Sequence, residues 1–264
     1  MMKFLLLVAV LCVVPPSFST YDLSLKYTAK TFNHRQRFLV LHYTATNFTE
    51  SLRLLTEHLS SHYLVPSGLT NGRRVVYQLV PEEKRAWTQG ISSWRKRTNL
   101  NDQGVSIEIV NRGYALDIQG NKHWFMYDHH QMLSVVELCQ DIIQRYDISP
   151  RNVIGHSDCA PDRKQDPGPL FPWKQLYDSG VGSWPYQDDV FNFKNQYRGQ
   201  VLKVQEYQND LSNYGYEINT DGVLTPQTTA VIQKFQMHFR QNNYDGKMDL
   251  ETFAILKALL KRYA

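Results

Sequence analysis

Three features that would point to common protein classes are missing from this sequence. It contains no HExxH motif, which removes the main sequence signature of a zinc metalloprotease. Its longest apolar run, Phe4–Val14, is shorter than the roughly 20 residues that a membrane-spanning helix needs, so no transmembrane segment is expected. A formal net charge of +4 allows weak attraction to an acidic polymer but is low for a nucleic-acid-binding domain, so nucleic acid is not expected as a partner.

The first residues have the pattern of a secretory signal peptide. A cation at Lys3 precedes the apolar run, and prolines and small residues follow it. The small-x-small triplet 17–19 predicts cleavage near Thr20, so residues 1–19 are expected to be removed and the protein exported to the periplasm or secreted. Cys12 leaves lipidation and outer-membrane association open, although Leu11 stands where lipoprotein signals carry a small residue.

Only Cys139 and Cys159 remain in the mature chain. An exported protein can pair two cysteines in a disulfide. The sequence does not give the distance between them, so a disulfide and two buried free thiols both remain open.

The hydrophobic fraction of 42% is enough for a substantial core, and the apolar spacing predicts alternating strands and helices. Strands are predicted over 37–45, 62–68, 73–80 and 104–110, with a further strand ending at His156. Helices are predicted over 48–59 and 128–146, the second with apolar residues at i, i+3, i+4 and i+7. This order predicts an α/β fold with a mixed central β-sheet packed by helices.

The C-terminal part has a different pattern. Residues 179–200 are polar and contain glycine, proline and asparagine, which predicts a linker. Beyond it, helical spacing over 201–211, 226–239 and 249–263 predicts a small all-α three-helix domain, with Thr225 and Asp249 as helix caps. We therefore expect an α/β domain over 20–185, a linker over 186–196 and a helical domain over 197–264.

The candidate chemical residues lie where strands end. His42 and His156 each close a predicted strand, and Asp166 lies on the rigid loop PDRKQDPGPLFPW (161–173). Two imidazoles and one carboxylate would suit zinc, with a fourth position open for water. From spacing alone these residues could equally be ordinary core or surface residues.

Rival residues exist for the same role. His58 and His62 have i, i+4 spacing, but the helix is expected to end at Ser60. His129 and His130 are adjacent, so at most one of them can face a given site. Asp158 is the alternative to Asp166, and His34, His123 and His238 are interpreted as surface or capping residues.

Two further residues have open interpretations. Glu108 lies between Ile107 and Ile109 in a predicted strand, where the pattern favours a solvent-facing side chain over a functional one. Lys164 precedes Asp166 by two residues, and from the pattern it is simply solvated.

Several stretches resemble the zinc-dependent N-acetylmuramoyl-L-alanine amidases, the family that includes the phage-type amidases and is related to the peptidoglycan recognition proteins. They occur in the family's order and cover about residues 37–185: VLHYTA (40–45), SSHYLVP (60–66), AWTQGISSW (86–94), SIEIVNRG (106–113), NVIGHSD (152–158) and APDRKQDPGPLFPW (160–173). The stretches 204–216, 221–236 and 244–252 resemble a small peptidoglycan-binding module.

The resemblance implies a role for each candidate residue. His42, His156 and Asp166 correspond to the family's zinc ligands, Glu108 to its catalytic glutamate and Lys164 to its active-site lysine. Thr88 and Val110 depart from the family, which often has histidine and glutamate at these positions.

The implied function is hydrolysis of the amide between the muramic acid lactyl group and L-alanine in peptidoglycan or muropeptides. The alternative is a non-catalytic peptidoglycan recognition protein on the same fold, but such relatives typically lack a zinc ligand. We further expect the helical domain to fold as a separate unit that holds the enzyme on the cell wall.

Overall fold

A computed structural model describes residue 22 and residues 24–264. Residues His34–Ala264 form one compact unit. The described residues before His34 belong to a separate unit; they are exposed and include no helix or strand. The predicted signal peptide, its cleavage site and Cys12 lie outside the described residues.

Helices and strands alternate in the first part of the chain, and helices alone make up the last part. The strands of the described residues are β1 Phe38–Tyr43, β2 Tyr63–Val65, β3 Tyr77–Gln78, β4 Ser93–Trp94, β5 Arg97–Thr98, β6 Gly104–Ile109, β7 Tyr114–Leu116, β8 Lys122–Trp124 and β9 Val153–Gly155. The α-helices are α1 Phe48–Glu57, α2 His129–Tyr146, α3 His156–Cys159, α4 Trp173–Asp178, α5 Gln187–Gln196, α6 Val204–Tyr214, α7 Pro226–Phe239 and α8 Leu250–Tyr263.

Five strands form the central sheet in the order β3-β2-β6-β1-β9. Strands β2, β6, β1 and β9 run parallel, and only the edge strand β3 is antiparallel. The predicted mixed sheet packed by helices is therefore confirmed. Two hairpins, β4-β5 and β7-β8, lie outside this sheet and were not predicted.

Helices cover both faces of the sheet. Leu39 and Leu41 of β1 pack in one core cluster with Met132, Val135 and other residues of α2. The alternate residues Phe38 and Val40 pack in a second cluster, whose other members include residues of α6, α7 and α8. The C-terminal helices thus help to bury the second face of the sheet at β1 and β9, as expected for parallel strands.

The stretch predicted as a linker over 186–196 is instead the helix α5. Val190 is buried, and Phe193 and Tyr197 pack against the same cluster as α8. These apolar side chains recur at i, i+3 and i+7 among polar residues, which is an amphipathic helix rather than a flexible connection. The predicted domain boundaries at 185 and 197 remain predictions.

The predicted caps of the C-terminal helices are confirmed. Thr225 accepts a hydrogen bond from the Thr228 amide at the start of α7, and Asp249 accepts one from the Thr252 amide at the start of α8. These helices do not stand apart from the rest of the chain, because they share a core with β1 and lie in the same compact unit. That residues 197–264 fold as a unit when expressed alone stays a prediction.

Cys139 and Cys159 are both buried and both free. Cys139 lies in the α2 cluster, whereas Cys159 lies in the cluster on the opposite side of the sheet. Of the two alternatives, two buried thiols is the one observed. No helix in the described part of the chain has the length and apolarity to cross a membrane.

Candidate metal centre

The carboxyl ends of three parallel strands bring the candidate residues to one edge of the sheet. His42 of β1 is in register with Glu108 of the neighbouring strand β6. On the other side of β1, strand β9 ends at Gly155 and His156 begins the short helix α3, so His156 follows its strand rather than ending it. The edge where strands end is where parallel sheets place ligands.

Three donor atoms from His42, His156 and Asp166 lie almost in contact. His42 Nδ1 is 3.0 Å from His156 Nδ1 and 3.1 Å from Asp166 Oδ2, and His156 Nδ1 is 3.0 Å from the same oxygen. All three residues are buried and could hold a metal ion. Donors held about 2.0–2.1 Å from a tetrahedral ion lie about 3.3 Å apart, so the observed triangle fits such an ion closely.

The charge states of these side chains favour metal binding. Burial lowers the pKa of His42 to about 4, and the neighbouring His156 adds to this shift, so the His42 imidazole is neutral near pH 7. Burial alone would raise the pKa of Asp166, but His156 and His42 together bring it well below its usual range. The site therefore offers a neutral imidazole beside an anionic carboxylate.

The backbone around His156 fixes the orientation of its ring. His156 Nε2 lies 2.9 Å from the Gln89 carbonyl oxygen, to which it donates when Nδ1 faces the other donors. The Ser157 amide donates to the Asp166 carbonyl oxygen at 2.8 Å, which joins the residue after His156 to the backbone of Asp166. Gln89 was missed in the sequence because its contribution is a backbone carbonyl, which any residue supplies.

The loop quoted above is held by close packing. A side chain at Gly155 would place its Cβ 2.6 Å from Pro167 Cδ, so only glycine allows this approach. Gly168 has φ +84°, and a Cβ there would lie 2.8 Å from the Trp124 ring. Tyr127 donates a hydrogen bond to the Pro167 carbonyl oxygen at 2.7 Å. The loop's rigid residues therefore hold Asp166 in place.

Glu108 is buried, contrary to the solvent-facing interpretation. Every residue of β6 is buried: its apolar side packs in the α2 cluster, and on the other side Ser106 hydrogen-bonds residues of the loops that precede β2 and β4. Burial raises the pKa of Glu108 well above its usual value and Asp166 adds to the shift, while Lys164 opposes it. Among the described residues, Glu108 Oε2 has no hydrogen-bond partner.

A cavity of about 340 Å³ opens onto these groups. Its lining includes the three donor residues, Glu108 and Lys164. Tyr43, Trp87 and Tyr114 also line it and were not predicted as site residues. All of its lining residues lie between positions 42 and 166, so the C-terminal helices do not form part of the cavity.

The rival histidines have other surroundings. His62 is buried and contacts Ser106 and the Lys84 carbonyl, while His58 is exposed beyond the end of α1. His123 is exposed beside Asp117. His238, interpreted as a surface or capping residue, is instead buried and contacts Asp158.

Comparison with known proteins agrees with this architecture. Residues 32–169 match the N-acetylmuramoyl-L-alanine amidase family, and residues 201–256 match a peptidoglycan-binding domain family. The chain is 43% identical to N-acetylmuramoyl-L-alanine amidase AmiD of Escherichia coli over 248 residues, covering 92% of this chain and 89% of that protein.

Solved structures give the same result. The structure of E. coli AmiD with anhydro-N-acetylmuramic acid-L-Ala-D-gamma-Glu-L-Lys superposes with a TM-score of 0.85 at 42% identity, covering 92% of this chain and 96% of the other. The structure of AmpDh3 from Pseudomonas aeruginosa with anhydromuramic pentapeptide has a TM-score of 0.85 at 39% identity, covering 92% and 98%. On sequence and fold together, this chain belongs to the N-acetylmuramoyl-L-alanine amidase family.

Proposed function

We propose that this amidase is a zinc enzyme that hydrolyses the bond between the muramic acid lactyl group and L-alanine of peptidoglycan. Its metal ligands would be His42, His156 and Asp166. The observation that carries the proposal is their triangle of donor atoms, with no edge longer than 3.1 Å, in one cavity with a buried glutamate.

The donor set supports zinc as the metal. Zinc accepts imidazole nitrogen and carboxylate oxygen, and catalytic sites keep three protein ligands with a fourth position open. When bound, zinc polarises an amide carbonyl and lowers the pKa of a coordinated water to about 7. All three donors are present, which argues against the alternative of a non-catalytic recognition protein.

Glu108 is the proposed proton carrier. Its register opposite His42 places it beside the donor triangle, and its second carboxylate oxygen has no partner in the described part of the chain. A carboxyl group with a raised pKa can take the proton of the attacking water and then deliver it to the leaving amine near neutral pH. The amide is thereby split into a carboxylic acid and a free amine.

Lys164 is proposed to stabilise the developing oxyanion. It lines the same cavity, and its charge is close enough to lower the pKa of Glu108. A well-placed donor to the oxyanion of a tetrahedral intermediate contributes about 3–4 kcal/mol to transition-state stabilisation.

The substrate class follows from the relatives. E. coli AmiD and P. aeruginosa AmpDh3 have been crystallised with anhydromuramic peptides, and we extend muropeptide binding to this chain. The peptidoglycan-binding family match over 201–256 supports a further contact between the C-terminal helices and the polymer. We also propose export to the periplasm or beyond, on the basis of the N-terminal signal pattern.

The products of wall digestion test this function. Purified peptidoglycan incubated with the zinc-loaded protein should release intact stem peptides that begin with L-alanine, identified by mass spectrometry. Glu108→Gln should abolish this release, because the amide cannot carry the proton. Glu83→Gln, which changes an exposed glutamate, is the matched control and should behave as wild type.

Two results would refute the proposal in different ways. Peptides shortened within the stem would indicate a peptidase. Wall binding without any released peptide, in protein shown to contain zinc, would indicate the recognition protein instead.

A further inference from the structure

A buried carboxylate two residues after His156 contacts the C-terminal part of the chain, at His238 of α7 and at Tyr216 just after α6. Asp158 is only 1% exposed, and both of its oxygens accept hydrogen bonds. Tyr216 donates its hydroxyl to Oδ1 at 2.6 Å, and His238 Nδ1 lies 2.8 Å from Oδ2. We refer to Asp158, Tyr216 and His238 as the Asp158 cluster.

The two partners of Asp158 are themselves held firmly. The His238 ring stacks on Trp173, with centroids 3.7 Å apart and planes 15° apart. The Tyr216 ring packs edge-on against Trp94 with centroids 4.8 Å apart. All three residues of the cluster are less than 5% exposed, so water does not replace a lost partner.

Asp158 also determines the local backbone at the candidate metal ligands. Its Oδ2 accepts from the amide of Gly155, the residue that caps the start of the single turn α3, at 2.8 Å. His156 is the first residue of that turn, and the amide of the following residue, Ser157, donates to the Asp166 carbonyl oxygen. A shift of Asp158 would therefore move both candidate ligands.

We propose that Asp158 is a positioning residue for the metal site and that the C-terminal part of the chain completes the catalytic scaffold through Tyr216, just after α6, and His238 of α7. This proposal rests on the metal site proposed above. It gives the C-terminal helices a role in addition to contact with the wall: they complete the hydrogen bonding of the turn that carries His156. The polymer need not be present for this role.

Tyr214 provides a matched control within the same segment. Its hydroxyl lies 2.7 Å from Ser183 Oγ, so it too joins the C-terminal helices to the preceding part of the chain. Tyr214 is 1% exposed and Tyr216 is 2% exposed, and both rings contact Trp94. Of the two hydroxyl groups, that of Tyr216 donates to Asp158 and that of Tyr214 bonds Ser183, so each tyrosine-to-phenylalanine change removes one buried hydrogen bond with a different partner.

The test compares Tyr216→Phe, Tyr214→Phe and Asp158→Asn in the full-length protein. Zinc dissociation constants, thermal unfolding and kinetics on a small soluble muropeptide are measured for each. Tyr216→Phe should weaken zinc binding by roughly tenfold, as is common for residues that support metal ligands, and should lower kcat with little change in KM. Tyr214→Phe should lose comparable thermal stability but keep wild-type zinc affinity and kcat.

Equal zinc affinity and kcat in the two phenylalanine variants would overturn the proposal, whatever the behaviour of Asp158→Asn. The comparison of Tyr216→Phe with Tyr214→Phe can still be made if Asp158→Asn fails to fold. Failure of the proposed function is distinct, because it would be seen in the wild-type protein as absent zinc binding or absent amide cleavage. If wild type does not bind zinc, the positioning role falls with it.

Discussion

Replacing Glu108 with glutamine should make the protein more stable and almost inactive. The change keeps the size of the side chain but removes its ability to accept a proton. Loss of a general acid–base typically reduces the rate by 10²–10⁴-fold, which corresponds to about 2.7–5.5 kcal/mol of transition-state stabilisation. Zinc and substrate binding should be retained, because Glu108 is not one of the three donors.

The stability gain follows from the raised pKa of the buried Glu108 carboxyl. A group whose pKa is raised on folding contributes no penalty below its unfolded pKa, and it destabilises the folded state as pH rises from that value through the folded pKa. Each unit of elevation costs about 1.4 kcal/mol at neutral pH. Glu108→Gln removes this cost, so its advantage over wild type should be absent near pH 4 and present at pH 7.

Urea unfolding of both metal-free proteins at pH 4 and pH 7, with kinetics of the zinc-loaded forms, measures both effects. Glu83→Gln controls for loss of a carboxylate at an exposed position. Near-normal turnover in zinc-loaded Glu108→Gln would exclude Glu108 as the proton carrier. A stability difference that does not change between the two pH values would refute the explanation based on burial.

Three other changes test the packing of the fold and the proposed role of Lys164. Truncation before Tyr197 should unfold or aggregate the protein, because it uncovers the sheet face that includes Phe38 and Val40. Circular dichroism and hydrolysis of a soluble muropeptide measure this effect. A truncated protein that is folded and fully active would contradict the prediction. Lys164→Ala should retain zinc but lower kcat by roughly 10²–10³-fold; unchanged kcat would remove its oxyanion role. Gly155→Ala should lower stability by about 1–3 kcal/mol in urea unfolding, since its Cβ would meet Pro167; wild-type stability would refute that contact.

Residue types and strand positions made His42, His156 and Asp166 candidates for a metal site, and the resemblance to the amidase family selected them over their rivals. His42 and His156 follow apolar runs, and parallel strands bring such positions to one edge. The burial of Glu108 could not be predicted in the same way. Alternation in β6 suggested one solvent-facing side, but that side is covered by loop residues such as Ser61 and Thr88, which hydrogen-bond Ser106.

The link between Asp158 and the C-terminal helices was also beyond sequence patterns. His238 lies 80 positions from Asp158, and an isolated histidine in a helix gives no sign of its partner. The helix α5 was missed for another reason. Its polar composition obscured the spacing of Val190, Phe193 and Tyr197, which local periodicity does contain.

Zinc content is the most direct test of the central claim that His42, His156 and Asp166 form a metal site. Elemental analysis of the purified wild-type protein should give one zinc per chain. His42→Ala, His156→Ala and Asp166→Ala should each lose it, because two remaining ligands bind the ion far more weakly. Stoichiometric zinc retained in all three variants would contradict the account.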